Sequence, residues 1–208
     1  MSAVNWPAAI KPLLKKYKGK KHPLNFKNIY QLVVEVILSG QDSDKHINQI
    51  APVFFNAFPN MKTLAKATPL AIRQQINGVR NFNNKSKWLS ALSRQIKEDK
   101  NIPLTLNELT ELPGIGRKSA NVIKRESGAI AEGIIVDIHV VRVAPRLGIA
   151  SGNDPKKIEE QLMEVLPQKE WDAGMAMSFL GREICRPKLP NCEECIINSV
   201  CAYYKSTL

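Results

Sequence analysis

The sequence predicts an all-α protein, and three observations support this. Apolar residues recur at helical spacing along most of the chain, prolines fall between these stripes, and no pair of alternating segments is joined by a tight-turn signal. The 208 residues, 44% of them hydrophobic, allow one large domain or two small ones with a buried core, and they rule out wholesale disorder.

Four apolar stripes predict the clearest helices. They consist of Ile29, Leu32, Val33, Val36 and Ile37; Ile47, Ile50, Val53 and Phe54; Trp88, Leu89, Leu92 and Ile96; and Ile158, Leu162, Met163 and Leu166. Ser43, followed by Asp44, is the predicted N-cap of the second helix. The prolines that separate stripes are Pro69, Pro103, Pro113 and Pro155. The run Ile134–Val136 is either a short strand or a buried extended link.

The chain is strongly basic, with 30 Lys and Arg against 19 Asp and Glu and a net charge of +11. Seven lysines lie in the first 27 residues, and no acidic residue precedes Glu35. Two further clusters comprise Arg73, Arg80, Lys85 and Lys87, then Arg117, Lys118, Lys124 and Arg125. One such cluster is compatible with a solvated helix face, but three favour phosphate contacts and therefore nucleic acid as the partner. Aromatic residues make up only 6%, so a stacking platform for single strands is not indicated.

A membrane surface is the other partner that a basic chain suggests, and the sequence argues against it. No stretch approaches the roughly 20 apolar residues that a spanning helix needs, because charged residues interrupt the apolar runs. The N-terminus also lacks the charged start and apolar segment of a signal peptide. We therefore expect a cytoplasmic protein with reduced thiols and no membrane partner, associated with the nucleoid if its host is bacterial.

The four cysteines indicate a metal or cluster site. They lie in the last 24 residues with the spacing C-x6-C-x2-C-x5-C, at Cys185, Cys192, Cys195 and Cys201. Four thiols so close together in an intracellular chain favour metal binding over a disulfide pair. Spacing alone does not separate structural zinc from an iron–sulfur cluster, since both take four thiolates. The tail after Lys188 has no apolar stripe, so we expect it to need the metal to fold.

The segment Leu112–Ile123, with the sequence LPGIGRKSANVI, is the most informative in the chain. A short helix over Leu106–Leu112 is predicted to enter a Pro-Gly-Ile-Gly turn, and a second helix begins near Arg117. Gly114 and Gly116 permit positive φ and the close approach of another backbone. Free N–H groups of the turn and of the helix N-terminus can hold a phosphate oxygen, so the motif would grip a DNA backbone without reading its sequence. An ordinary corner between two helices is the alternative.

Lys118 lies in the first turn of the second helix, where the helix dipole disfavours a cation. That field, with Arg117 adjacent, is expected to lower the pKa of the amine. A lysine with a lowered pKa is a nucleophile and can form a Schiff base. Plain phosphate binding is the alternative role for Lys118.

Asp137 is either a simple helix N-cap or a partly buried catalytic carboxylate, because it follows the apolar run Ile134–Val136 and precedes a helical segment. A carboxylate facing Lys118 across a cleft could stabilise a cationic sugar and assist proton transfer. His139 is interpreted as a structural hydrogen-bonding residue.

Together these residues resemble the endonuclease III-type DNA glycosylases, which are AP lyases of the helix-hairpin-helix superfamily with an iron–sulfur cluster. The resemblance covers nearly the whole chain, and its motifs are jointly specific. They are Leu38–Gln41, Leu112–Ile123, Val136–Arg142 with Leu147-Gly148, and Gly181-Arg182 before the cysteines. The four-cysteine spacing matches the cluster pattern of that family, so the resemblance favours [4Fe–4S] over zinc.

The resemblance implies two helical domains. Residues 23–132 would form a six-helix module with the helix-hairpin-helix motif, and residues 1–22 plus 133–208 a domain with the C-terminal [4Fe–4S] cluster loop. The active site would lie in the groove between them. We expect a monomer whose partner is double-stranded DNA containing damaged bases or abasic sites. The cluster would do no hydrolysis but would shape a basic loop from which Arg186 and Lys188 meet phosphate.

The resemblance also assigns roles by position. Lys118 matches the catalytic lysine and Asp137 the catalytic aspartate. Gln41 matches the residue that fills the gap left by an extruded nucleotide, and Asn81 stands at the position of the wedge. The implied activity is base excision repair by a bifunctional glycosylase and lyase: an oxidised pyrimidine is flipped out and released, and Lys118 forms a Schiff base. β-Elimination then nicks the strand 3′ to the abasic site.

Several departures from the pattern of the family bear on lesion preference. Arg80 and Asn81 replace a glycine and a bulky apolar residue, and a polar wedge is expected to stack less well in the vacated base step. Asp42 replaces a small neutral residue and would bring negative charge near DNA. Ile138 replaces a threonine, and the stretch Asn121–Asp137 is one residue longer than usual.

Two other functions remain open. A monofunctional glycosylase of the same superfamily, acting on mispaired adenine or alkylated purine, would release a base without cutting the strand. Lys118 argues against it, because those relatives commonly lack this lysine. A non-catalytic DNA-binding clamp would bind duplex DNA with a steep salt dependence and leave lesions untouched. The joint presence of Lys118 and Asp137 argues against the clamp.

Overall fold

A computed structural model describes residues 4–207, and within this range the chain forms helices, turns and extended links but no β-strand. The all-α prediction is therefore confirmed. The α-helices are α1 (Trp6–Ala9), α2 (Lys11–Lys16), α3 (Ile29–Ser39), α4 (Asp44–Ala57), α5 (Met61–Lys66), α6 (Pro69–Gln75), α7 (Phe82–Ile96), α8 (Leu106–Glu111), α9 (Arg117–Glu126), α10 (Ile138–Leu147), α11 (Pro155–Val165), α12 (Ala173–Glu183) and α13 (Ala202–Lys205). None of these described helices is long and apolar enough to cross a membrane.

The chain divides into two compact units. Lys21–Ile130 form one, which we call the hairpin unit, and Met1–Lys20 together with Ala131–Leu208 form the other, the terminal unit. The hairpin unit contains α3 to α9, which is one α-helix more than the six that the resemblance implies. Within it, α5 and α6 are separate short helices, because Thr68 accepts a hydrogen bond from Ala71 N and begins α6 at Pro69.

Polar side chains determine where most of these helices begin. Ser43 Oγ accepts a hydrogen bond from His46 N at 3.2 Å, which confirms the predicted N-cap of α4. Thr105 caps α8 in the same way, and its hydroxyl donates in turn to the carboxylate of Glu108. The same type of cap starts other helices at Asn28, Asn60, Thr68, Asp137 and Asp154.

The core of the hairpin unit surrounds α3, which packs on α4, α7 and α9, while α5 and α6 pack on α7. Most residues of the predicted stripes are buried, with Leu32, Leu89 and Leu92 at most 1% exposed. The prediction is wrong for Val53 of α4, which is 61% exposed because it lies about 100° around the helix from buried Phe54. Buried apolar faces of this kind contribute most of the stability of short helices. The hairpin unit is therefore held together by its own apolar packing.

The core of the terminal unit is the contact between α10 and α12. Gly174 of α12 lets Ile134–Val136 pack against the helix, because a Cβ at Gly174 would lie 2.4 Å from Ile135 O. Ile134–Val136 is buried and extended but pairs with no strand in the described chain, so the extended link is the correct alternative for this run. Gly181 of α12 has a similar role, because a Cβ there would lie 2.8 Å from His139 Cβ. The missing side chain lets α10 and α12 pack close together.

Candidate active site and DNA interface

The predicted hairpin is present in the hairpin unit. Helix α8 ends at Glu111, the turn runs to Gly116, and α9 begins at Arg117 and packs on α8. Ile115 is 4% exposed and anchors the turn in the core. The turn is thus shaped by protein packing before any DNA is bound.

The two glycines of the turn differ in their physical role. Gly114 has a φ of +84°, and a Cβ there would lie 3.1 Å from two atoms of Trp88. Gly116 has a φ of −89°, which any residue adopts, and a Cβ there would have no atom within 4 Å. Of the two properties that glycine permits here, Gly114 therefore uses positive φ and Gly116 does not. Its lack of a side chain instead leaves open space at the N-terminus of α9.

Arg117 and Lys118 are exposed side chains in the first turn of α9. Gly116, the N-cap residue, contributes no capping side chain, so the positive end of the helix dipole lies beside both residues. An exposed amine next to backbone N–H groups is well suited to meet a sugar–phosphate chain.

Two lysines of the basic clusters are buried rather than directed at solvent. Lys124 is 3% exposed, and its Nζ donates to Leu104 O at 2.6 Å. Lys85 is 2% exposed, and its Nζ donates to Leu38 O and Gly40 O at 2.7 and 2.6 Å. Because buried amines need local acceptors, these lysines bind backbone carbonyls of the hairpin unit and, unlike the expectation for the basic clusters, do not present their amines at the surface.

Asp137 is the N-cap of α10 in the terminal unit. Its Oδ1 accepts hydrogen bonds from His139 N and Val140 N, both at 2.9 Å. Its Oδ2 accepts a 2.6 Å hydrogen bond from Ser178 Oγ and lies 3.9 Å from Arg182 Nη2. With 11% of its side chain exposed, the carboxylate is held in one orientation and still reaches solvent. The capping role and a catalytic role are thus compatible.

Ser178 was missed by sequence reasoning, although a hydroxyl within the apolar helix α12 was a visible signal. In the sequence analysis Arg182 was named only as part of the Gly181-Arg182 motif, and its proximity to Asp137 was not predicted. His139 has the structural role that was expected, since its Nδ1 lies 3.2 Å from Arg142 Nη2.

Gln41 and Asn81 lie in two exposed turns of the hairpin unit. Gln41 follows α3 with a φ of 60°, and Asn81 precedes α7 with a φ of 58°. Asp42, beside Gln41, is the residue expected to bring negative charge near DNA, and its side chain is largely buried, with 11% exposed. Partial burial raises the pKa of this carboxyl, but hydrogen bonds from Arg80 N, His46 and Ser43 N outweigh burial and hold the pKa below its usual value.

The four thiols line one cavity in the terminal unit together with side chains of α10, α12 and α13. The cysteines are free, without a disulfide among them: Cys185, Cys192, Cys195 and Cys201. Burial raises the pKa of the Cys192 thiol, and the neighbouring Cys185 and Cys201 raise it further. Burial likewise raises the pKa of Cys195. The thiols therefore influence one another electrostatically across the cavity.

Arg146 of α10 organises the backbone around the cavity, and sequence reasoning missed it. Its Nη1 lies 3.5 Å from Cys185 Sγ and 2.8 Å from Arg186 O, and its Nη2 donates to Pro187 O at 3.1 Å. Its guanidinium stacks 4.8 Å from the Tyr203 ring centre. Arg186 and Lys188 themselves are exposed, as a phosphate-contacting role requires.

The donor set of the cavity fits an iron–sulfur cluster in its chemistry. Across residues 4–207, no group of three or more His, Cys, Asp or Glu side chains is arranged to hold a metal ion. A cluster, however, spaces its four thiolates around a cage of iron and sulfide and does not require them to converge on one ion. Four thiols around one cavity meet that requirement.

Comparison with known proteins extends over almost the whole chain. Residues 34–168 match the model of the HhH-GPD superfamily of base excision DNA repair proteins. The endonuclease III of Synechocystis sp. is 35% identical over 192 residues, which cover 91% of this chain and 88% of that protein. The endonuclease III of Rickettsia felis is 32% identical over 192 residues, covering 90% and 89%. A trapped covalent endonuclease III–DNA intermediate, in an estranged-adenine complex, superposes with a TM-score of 0.88 at 26% identity over 99% of both chains.

The family match agrees with the helix-hairpin-helix motif found in the hairpin unit. The family model covers more than half of the chain, and the relatives exceed 30% identity over most of their length. The chain therefore belongs to the HhH-GPD superfamily of base excision DNA repair proteins, as an endonuclease III-type DNA glycosylase and AP lyase.

Proposed function

We propose that the protein acts as a monomer on double-stranded DNA, removes oxidised pyrimidines and nicks the strand 3′ to the abasic site. The observation that carries this proposal is Lys118, an exposed amine in the first turn of α9 directly after the glycine turn. An amine is needed for the lyase step, because it joins the sugar through a Schiff base.

Lys118 supplies the nucleophile in the proposed reaction. Its Nζ lone pair attacks C1′ of the flipped nucleotide, and the bond from C1′ to the base breaks with its electron pair leaving on the base. Loss of a proton from nitrogen and opening of the sugar ring give the protonated Schiff base. Removal of a C2′ proton then expels the 3′ phosphate and cuts the strand.

Asp137 is the proposed carboxylate partner of this chemistry. It would offset positive charge on the sugar and accept a proton during the transfers. Two backbone N–H groups and the Ser178 hydroxyl already orient the carboxylate, so little reorganisation is needed when charge develops. Ser178 is in this view a positioning residue for Asp137.

Phosphate contacts are proposed at two surfaces. The first is the hairpin, where Gly114 shapes the turn, Gly116 leaves room for a backbone and Arg117 adds a cation. The second is the cysteine loop with Arg186 and Lys188. Gln41 and Asn81 are proposed to enter the DNA where the base has left the stack.

The cysteine cavity is proposed to hold a [4Fe–4S] cluster through Cys185, Cys192, Cys195 and Cys201. The cluster would serve as a structural cross-link of the loop and would take no part in base release. Arg146, which donates to two carbonyls of the loop, would work alongside it.

Borohydride trapping tests the proposed chemistry. Labelled duplexes with either an abasic site or an oxidised pyrimidine are incubated with wild type and with Lys118→Ala. We expect a covalent complex on both duplexes with wild type and none with the variant. Trapping on the abasic duplex alone would contradict the assigned base, and base release without any trapping would show a monofunctional glycosylase.

A further inference from the structure

Two exposed turns of the hairpin unit share an unusual backbone conformation. Gln41 and Asn81 are two of only four non-glycine residues with positive φ in the described chain. The left-handed conformation is unfavourable for an L-residue, because its Cβ lies too close to the following carbonyl oxygen. Such residues persist where the surrounding structure holds them in place, and they concentrate at functional sites. The contacts that hold these two turns are therefore informative.

One carboxylate joins the two turns. Asp42 directly follows Gln41, and Arg80 directly precedes Asn81. Asp42 Oδ2 accepts a hydrogen bond from Arg80 N at 2.8 Å, although the two residues are 38 positions apart in sequence. Asp42 Oδ1 accepts from Ser43 N at 2.8 Å and lies 2.9 Å from His46 Nδ1. Both oxygens are thus occupied, and the carboxylate has little freedom to move.

A buried amine fixes the same turns from the protein side. Lys85 lies in the first turns of α7, where its N–H donates to Asn81 O at 3.1 Å. Its Nζ reaches Leu38 O and Gly40 O, two carbonyls in the segment just before Gln41. Asp42 and Lys85 therefore tie the end of α3 to the start of α7 through two separate links.

We propose that Asp42 is a positioning residue that holds the Gln41 turn and the Arg80–Asn81 turn together, so that both side chains enter the vacated base step as one rigid pair. This inference rests on the proposed function, which assigns Gln41 and Asn81 to DNA. Asn81 gains little from stacking because it is polar, so its contribution depends on being held at a defined place. A flexible wedge would lose that contribution to ordering entropy.

The inference separates two steps of the reaction. Extrusion of a base needs both turns in place, whereas Schiff-base formation at an existing abasic site needs Lys118. Asp42→Ala is expected to lower single-turnover base release about tenfold, and trapping on a preformed abasic duplex at most about twofold.

Asp99→Ala is the matched control. Asp99 Oδ1 accepts a 2.7 Å hydrogen bond from Met61 N, so the control removes the same charge and the same carboxylate–backbone link in the same unit. Asp99 is adjacent in sequence to neither Gln41 nor Asn81. We expect base release by Asp99→Ala to stay within about twofold of wild type.

A fluorescent base in the duplex reports whether the two turns enter the DNA, and this measurement requires no reaction. The duplex carries 2-aminopurine opposite an uncleavable abasic analogue, and its emission rises when the probe unstacks. At saturating protein, Asp42→Ala is expected to give less than about half of the wild-type rise, while Asp99→Ala keeps it. An unchanged rise with Asp42→Ala would overturn the proposal. Failure of borohydride trapping by wild type would count against the proposed function alone, since this probe requires no reaction.

A double-mutant cycle adds a readout that a general loss of stability would not produce. Asn81→Ala is combined with Asp42→Ala, and base release is compared with the single variants. If Asp42 acts by holding Asn81, adding Asn81→Ala to Asp42→Ala lowers base release by less than about a further twofold. Fully multiplicative losses would show that Asp42 acts independently of Asn81 and would overturn the proposal.

Two milder variants keep the test usable if Asp42→Ala fails to fold. Asp42→Asn retains an oxygen that can accept from Arg80 N, and His46→Ala leaves the bond to Arg80 intact. Both are expected to keep more than about half of the fluorescence rise. A rise abolished by His46→Ala would locate the effect in the ring rather than in the link to Arg80 and would contradict the proposal.

Discussion

The hairpin and the cysteine loop would both meet phosphate, yet they are held by different forces. The hairpin turn is anchored by buried Ile115 and by Gly114 against Trp88. The loop around the cysteines has short 3-10 turns, and the guanidinium of Arg146 donates to two of its carbonyls, Arg186 O and Pro187 O. One surface is therefore preformed by packing, whereas the other depends on polar links and on what the thiols bind.

Removal of one cysteine thiolate is expected to destabilise the cysteine loop far more than the hairpin, and it is the largest effect that we expect. Cys201 is the buried member of the four, and Cys201→Ser would remove one of the four proposed cluster ligands. We expect loss of visible iron–sulfur absorbance. DNA affinity should fall at least about a hundredfold, because Arg186 and Lys188 would lose two charge-assisted phosphate contacts of about 1.5–3 kcal/mol each. Hydrogen exchange should show the loss of protection in the cysteine loop, with the hairpin still protected. A colourless wild-type protein that holds one zinc would contradict the cluster.

Glu35 makes the stability of the hairpin unit depend on pH. The side chain is fully buried on α3, neither of its oxygens has a hydrogen-bond partner in the described chain, and burial raises its pKa from 4.5 to about 7. Because the folded state holds the proton more tightly, stability falls as the pH rises from about 4.5 through about 7.

Glu35→Gln tests this by removing the titration while keeping the shape. At pH 8 it should raise the free energy of unfolding by up to about 3 kcal/mol, and at pH 4.5 it should change it little. Urea unfolding at both pH values measures the difference. An equal change at the two pH values would show that ionisation of Glu35 is not responsible.

Gly114→Ala is expected to destabilise the hairpin by about 2 kcal/mol, because it combines a positive φ with a close contact to Trp88. Thermal or urea unfolding of the variant measures the loss. Unchanged stability would mean that the turn relaxes without cost and that packing does not hold it.

Gly116→Ala changes the other glycine of the same turn and should affect DNA binding rather than stability. Its Cβ meets no protein atom, so the free energy of unfolding should change by less than about 0.5 kcal/mol. The methyl group would instead occupy space needed by a phosphate, and DNA affinity should fall about tenfold. Affinity equal to that of wild type would remove Gly116 from the interface.

Local sequence signals predicted several helix ends and buried helix faces. The cap at Ser43, the start of α9 at Arg117 and the buried faces of α3 and α7 depend on neighbours within one or two turns. Such features are visible in the sequence because helix periodicity and capping are short-range. The position of Lys118 in the first turn of α9 belongs to this group.

Long-range contacts were not predictable in the same way. Asp42 was expected to bring negative charge near DNA, but no local signal predicted that it accepts a hydrogen bond from Arg80 N, 38 positions away. Ser178 reaches Asp137 across 41 positions, and Lys85 reaches Leu38 O across 47. Which polar group finds a buried partner depends on how helices pack, and no local pattern encodes that choice.

The sequence by itself determined the helical class, the hairpin with its lysine and the grouping of four thiols, because each depends on spacing along the chain. Only the tertiary structure decided that Gly116 faces open space while Gly114 packs on Trp88, and that Lys85 and Lys124 serve backbone carbonyls. The physical reason is that burial and hydrogen-bond pairing are properties of neighbours in space, which the chain acquires only when distant helices come together.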